Sequence, residues 1–155
     1  MTRRQTLRIL DANFNRSREG LRVCEEVARF VLETRALTQD LKNARHAVSQ
    51  CLARTGVSFS ELVDARDSKK DVGKNPETLK ESLRGGALDL FAANIERVKE
   101  ALRVLEEASK TFSPRLPAQF KKIRFSVYEI EKKIVPQLET LRDRRPLGFK
   151  KRRRS

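Results

Sequence analysis

The chain has 155 residues, enough for one domain with a buried core and too few for several. Hydrophobic residues make up 38% and charged residues 36%, with six Gly, five Pro and no Trp, which excludes collagen-like and low-complexity classes. Net charge is +14, but Arg142–Ser155 holds eight Lys/Arg against one Asp, so half of the excess lies in the last fourteen residues. Such a balance suits phosphorylated metabolites, nucleic acid or an acidic surface.

A first helix is predicted over Thr6–Glu33, where apolar residues recur with a 3.6-residue period. A second follows over Leu37–Arg54 on the stripe Leu37, Leu41, Ala44, Val48 and Leu52, and Gly56 ends it. SFSELV is expected to form a short helical turn, and ARDSKKDVGKN reads as a loop. Asn75-Pro76 is a cap with Pro at the first helical position, opening a short helix that stops at Gly85-Gly86. The third long helix is expected over Ala87–Phe112 and the fourth over Pro117–Leu141, with a kink at Pro136. The basic end, residues 142–155, reads as a solvated, disordered tail.

The sequence repeats itself. Ala12–Val31 shifted by 81 positions lies on Ala93–Phe112 with nine of twenty residues identical. Leu37–Val48 matches Leu116–Val127 at a shift of 79, sharing Leu, Lys, Arg and Val in register. A period near 80 present twice is no solenoid. It predicts an all-α fold: four long helices as two pseudo-twofold-related hairpins in one bundle, residues 1–141. Repeat 1 covers about residues 6–54 and repeat 2 about 87–141, with a short helix and loop between them.

No apolar run approaches the roughly 18 residues of a membrane span, and MTRRQTLRIL lacks a secretory signal's apolar core. Cys24 and Cys51 lack metal spacing and read as reduced core thiols of a cytoplasmic protein.

On a helical wheel, Cys24, Val27 and Val31 define the inward line of the first helix, and Asn13 and Gly20 share it. Arg16 flanks that line, while Arg18, Arg22, Glu25 and Arg29 point away. The third helix repeats the pattern with Asn94, Ala101 and Arg97, and Arg45 and Arg124 lie close to the stripes of the other two helices. Four Arg and two Asn are thus expected to converge on one interior. Buried guanidinium groups require anions. They either pair with flanking carboxylates such as Glu19 and Glu100, or grip phosphate oxygens, with Gly20 and Ala101 leaving room for a ligand. In the loop, Asp67 and Asp71, with Gly73 and three Lys around them, suit a Mg²⁺ bound to phosphates, although an ordinary solvated loop reads the same way. The single His, His46, is either a surface residue or a ligand contact.

The strings RILDANFNRSREGLRVCEEVARFVL, LKNARH, RDSKKDVG and AANIERVKEALRVLEEASK, in that order, resemble the alternative hydroxymethylpyrimidine-phosphate kinase family of thiamine biosynthesis. The likeness runs from Arg8 to Glu131, about four-fifths of the chain. That family is an all-helical module, often fused ahead of a thiamine-phosphate synthase barrel of roughly 250 residues, for which this chain has no room. The resemblance implies transfer of the ATP γ-phosphoryl group to 4-amino-5-hydroxymethyl-2-methylpyrimidine phosphate. On that reading Arg16, Arg45, Arg97 and Arg124 grip phosphates, and Asn13 and Asn94 orient substrate. Asp67 and Asp71, with Glu19 or Glu100, hold Mg²⁺, and Asp11 caps a helix or contacts substrate. The partners it implies are small-molecule phosphates and, beyond them, a synthase; a homo-oligomer is compatible with the sequence. Two other classes compete: a non-catalytic module that binds a thiamine intermediate, and a basic helical nucleic-acid binder using KKRRRS. The inward Asn and Arg repeats argue against the second, whose contacts belong on outer faces.

Overall fold

Thr2 opens the first helix with a capping box: its hydroxyl accepts from the Gln5 N–H, and the Gln5 side chain accepts from the Thr2 N–H. That local pair moves the start of the helix back from Thr6 to Arg3. A computed structural model describes residues 1–68, 71 and 84–143. Its helices are α1 (Arg3–Phe30), α2 (Arg35–Ala53), α3 (Phe59–Ala65), α4 (Ala87–Ser109) and α5 (Leu116–Asp143). The all-α expectation holds, and no strand occurs among the described residues. The Asn75-Pro76 helix, Gly73 and the tail from residue 144 lie outside the described residues.

The helix ends are set locally. After α1 the chain turns through Glu33 at φ 51°, and after α2 through Gly56 at φ 70°, a left-handed conformation that glycine adopts without a Cβ penalty. Ser58 then starts α3 with a second capping box, taking the Glu61 N–H on its hydroxyl. α4 stops at Ser109, short of the expected Phe112, in a turn where the Ser113 N–H bonds the Ser109 carbonyl. α5 continues through Pro136 as one helix. Pro136 and Lys132 are both exposed, so the carbonyl that proline's missing N–H would have bonded lies on the solvent side.

α1 packs against α4, α2 and α3, α4 against α5, and α2 against α5, giving a four-cornered bundle with α3 laid on the outside of α1. Leu10, Phe14, Leu21 and Cys24 of α1 meet Phe91, Ile95, Leu102 and Leu105 of α4 in one core with Leu41, Val48, Phe120 and Ile134. Phe14 and Phe120 cross it edge to face at 5.8 Å. Full burial of each such side chain contributes about 1.5–3 kcal/mol, so the seam joining the two repeats is a main source of stability. Both cysteines are free and buried, and burial pushes the Cys24 thiol up to about 12.

Candidate functional site

The four arginines expected to converge divide into two pairs with different surroundings. Arg45 of α2 directs its Nε at Glu25 of α1 (3.0 Å), and Arg22 reaches the same carboxylate from α1 (3.0 Å). Repeat 2 builds the matching triad: Arg124 of α5 and Arg103 of α4 hold Glu106 at 2.8 and 2.9 Å. Glu25 and Glu106 are 4% and 6% exposed, so Glu25 points in rather than away, as the wheel had it. Each triad ties two helices of one repeat together. The bond Arg124 donates to Glu106, and then that to the Tyr128 hydroxyl, raise its guanidinium above the ordinary value. Glu19 and Glu100, expected as the inward partners, are exposed.

Gly20 leaves no room for a ligand. A Cβ there would sit 2.7 Å from Val98 Cγ2 and 3.0 Å from the Asn94 carbonyl oxygen, so glycine is what lets α1 and α4 touch. Four residues further along α1, the Cys24 thiol donates to the Phe91 carbonyl, three residues nearer the start of α4 than Asn94. The two helices therefore run antiparallel. Continuing that register sets Arg16 beside the turn of α4 that carries Glu100, and Glu19 beside the turn that carries Arg97.

Arg16 and Arg97 are exposed on the flanks of this seam, and neither makes an ion pair or side-chain hydrogen bond among the described residues. Each stands three residues after an asparagine. Asn13 is buried and Asn94 half-buried, and each donates its amide back to a carbonyl four residues earlier, Ile9 and Leu90, at 2.8 Å. That geometry leaves an amide oxygen and a second N–H for a ligand. Asn13 and Arg16 line an open cleft of about 580 Å³ with Gln5, Arg8, Ile9, Ala12 and Asp71.

Asp11 neither caps a helix nor faces this cleft. It is buried in mid-helix and receives the Arg66 fork at 2.5 and 2.8 Å, with a third bond from the Asn15 amide. The Asp11 bond first, and then the charges of Asp11 and Glu19, raise the Arg66 guanidinium above its ordinary value. Arg66 follows directly on α3 and precedes Asp67, which is half-buried, while exposed Asp71 reaches the cleft. His46 is exposed on α2, and Arg45 and Arg124 belong to their triads. No cluster of three metal-binding side chains occurs among the described residues. One carboxylate in the cleft and a second four residues earlier fit Mg²⁺ held mainly by substrate phosphates, which needs only one or two carboxylates.

Sequence reasoning missed Arg66, and it placed Glu25 on the wrong face. The signal for Glu25 was present: the duplicated E-E pair recurs at a shift of 81 together with Arg22, and Arg45 recurs at 79 in the second block. A cluster of Lys99 with Glu131 (2.8 Å) and Glu96 was also missed. Burial alone lowers the Lys99 ammonium, but bonds to Glu131 and Glu96 outweigh that and hold it above its ordinary value.

The ThiD2 family model matches residues 8–133. The chain is 44% identical over 124 residues to a thiamine-phosphate synthase of Synechocystis, covering 80% of this chain and 34% of the relative. It is 41% identical over 125 residues to one of Rhodopirellula baltica, covering 81% and 33%, and 38% identical over 128 residues to one of Nostoc punctiforme, covering 83% and 35%. The chain spans about a third of the length of these curated relatives. No solved structure matches it significantly.

Proposed function

The chain belongs to the ThiD2 family, and from that membership and its cleft we propose that it is a phosphotransferase of thiamine biosynthesis. The reaction proposed is conversion of 4-amino-5-hydroxymethyl-2-methylpyrimidine phosphate to its diphosphate with ATP. The observation that carries this reading is the uncommitted Arg16 guanidinium beside Asn13 and Asp71 in one open cleft. Its counterpart Arg97 stands across the α1–α4 seam.

Moving a phosphoryl group between phosphates demands alignment and charge neutralisation more than covalent chemistry by the protein. An oxygen of the acceptor monoester attacks the γ-phosphorus of ATP, the bond to the β-bridging oxygen breaks, and ADP leaves with that electron pair. The acceptor is already ionised near neutral pH, its second pKa lying at about 6, so no strong base is needed. In this reading Arg16 and Arg97 fork onto phosphate oxygens and spread the charge of the transferring group. Asn13 and Asn94 orient substrate through the amide groups their backbone bonds leave open. Mg²⁺, when bound, supplies further neutralisation at the phosphates, and Asp67 and Asp71 are the residues that would hold it. Arg45 and Arg124 are paired with Glu25 and Glu106, and in this reading they brace the helices that carry the cleft.

One observation favours a second reading. The curated relatives are named for the synthase and are about three times as long, which suits a non-catalytic module that presents an intermediate to a synthase. For either reading a synthase is the partner we propose and the cytoplasm the place. No helix of the described residues is long and apolar enough to cross a membrane.

The deciding experiment is turnover of the pyrimidine monophosphate with ATP and Mg²⁺. Diphosphate product, reduced roughly a hundredfold or more in Arg16→Ala and Arg97→Ala, supports the kinase. Tight binding of the monophosphate without any product, across pH and divalent metals, would leave the presenting module.

A further inference from the structure

The polar pattern of α1 returns in α4 at a shift of 81: Asn13 and Arg16 recur as Asn94 and Arg97, and Val23 recurs as Val104. Gly20 lies level with the turn Asn94–Val98, which fixes how these residues stand along the antiparallel seam. Counted in helix rise from that level, the two asparagines lie about 13 Å apart and the two arginines only about 4–5 Å apart. The order along the seam is therefore Asn13, Arg16, Arg97, Asn94, with the arginines flanking the local twofold. The same count sets Val104 level with Ala12 and Asn13, and Val23 level with Ala93 and Asn94. Each valine follows an arginine by seven residues, two helical turns, so it shares the arginine's outward face. Val104 is 39% exposed and Val23 half-buried, so both put apolar surface on the outer side of the seam. Each end thus combines an asparagine amide from one helix with an apolar wall from the other.

We propose that the outer side of this seam is one site for two phosphorylated ligands laid tail to tail: Asn13 and Asn94 each read a 4-aminopyrimidine ring, and the phosphates meet between Arg16 and Arg97. Each asparagine spends one N–H on its own helix, at Ile9 or Leu90, and keeps an oxygen and a second N–H. That acceptor–donor edge complements an exocyclic amino group beside a ring nitrogen, as when asparagine reads adenine in nucleic acid. The pyrimidine acceptor carries such an edge at its 4-amino group, and the six-membered ring of adenine carries it again. One duplicated amide therefore serves both reactants of the phosphotransferase reading, on which the identity of the two ligands rests. Because the backbone bond holds each amide one way round, the reversed edge of hypoxanthine is a mismatch.

The test is calorimetric binding to the full chain with Mg²⁺, using a non-hydrolysable ATP analogue and the pyrimidine monophosphate, separately and together. Both are expected to bind at once. Asn13→Ala should weaken one of them roughly ten- to a hundredfold and Asn94→Ala the other, each leaving the second ligand nearly unaffected. The parent should prefer the adenine analogue to its hypoxanthine counterpart by a similar factor, and the variant that loses the nucleotide should lose that preference. Arg16→Ala and Arg97→Ala should each weaken both ligands, because the phosphates of both lie between them. If both asparagine variants weaken the same ligand, or neither weakens any, the tail-to-tail site is overturned. A parent chain that binds neither ligand, or that does not tell adenine from hypoxanthine, also overturns it, and this comparison needs no variant to fold. If the binding divides as expected but no diphosphate forms, the phosphotransferase reading falls and the two ring subsites stand.

Discussion

Repeat 1 and repeat 2 place Arg22, Glu25 and Arg45 and Arg103, Glu106 and Arg124 in matching triads, and both direct an asparagine amide back along its own helix. They part beyond the second helix of each hairpin. Repeat 1 turns at Gly56, forms α3 and clasps Asp11, whereas repeat 2 runs on as one long helix through Pro136. The shared parts are those that hold helices together. The part that differs leads on to Asp71 at the cleft, so a duplicated scaffold has acquired one elaborated half.

The strongest challenge to this comparison is to remove the central carboxylate of each triad. Glu25→Ala and Glu106→Ala should each lose about 3 kcal/mol, because a half-buried guanidinium is left without its anion. Urea denaturation should give nearly equal losses, and a clear inequality would break the equivalence of the repeats. Next is the seam itself. Gly20→Ala should cost about 1–3 kcal/mol by pushing against Val98 and the Asn94 backbone. The counterpart change Ala101→Gly should cost about 1 kcal/mol through helix propensity alone. Val98→Ala added to Gly20→Ala should recover part of the loss, which thermal melting would read.

Smaller effects sharpen the contrast. Arg16→Ala and Arg97→Ala should shift stability by no more than about 0.5 kcal/mol, since neither side chain is engaged within the described fold. Their effect on turnover should be large, and equal loss of stability and activity would assign them to the scaffold. Last is Glu61, whose carboxyl is held down to about 2 by the Ser58 N–H and then by Arg3. A lowered carboxylate contributes stability that is present above its ordinary 4.5 and is lost as the pH falls toward 2. The difference between the parent chain and Glu61→Gln should therefore close over that range, in protection of α3 amides and not of α5.

The duplicated strings made the bundle legible, because a repeat of whole hairpins leaves few ways to bury four apolar stripes. Helix ends were less legible, since Thr2 with Gln5 and Ser58 with Glu61 decide them through side-chain bonds to the backbone that hydrophobic periodicity does not register. The wheel found Asn13 and Asn94 but misread the charges. A glutamate at the edge of a stripe is turned inward by an arginine from the neighbouring helix, and no single-helix projection contains that neighbour. Gly20 was read as space for a ligand when the space is taken by Val98. Arg66 was illegible for a related reason: its partner Asp11 lies 55 residues away, and only the return of α3 brings the two together.

The contact at Gly20 has a bearing on how the chain came to be and how it folds. The antiparallel register of α1 and α4 places the local twofold between their midpoints, so the broadest apolar surface of each hairpin is the one presented to the other. A single hairpin would leave Leu21 and Cys24, or Ile95 and Leu102, open to water. Two identical hairpins meeting about a true dyad would bury the same surface, so the bundle has the form of a homodimer whose subunits have been joined end to end. The linkage makes its halves fold as one cooperative unit, and it frees one half to diverge while the other keeps the shape.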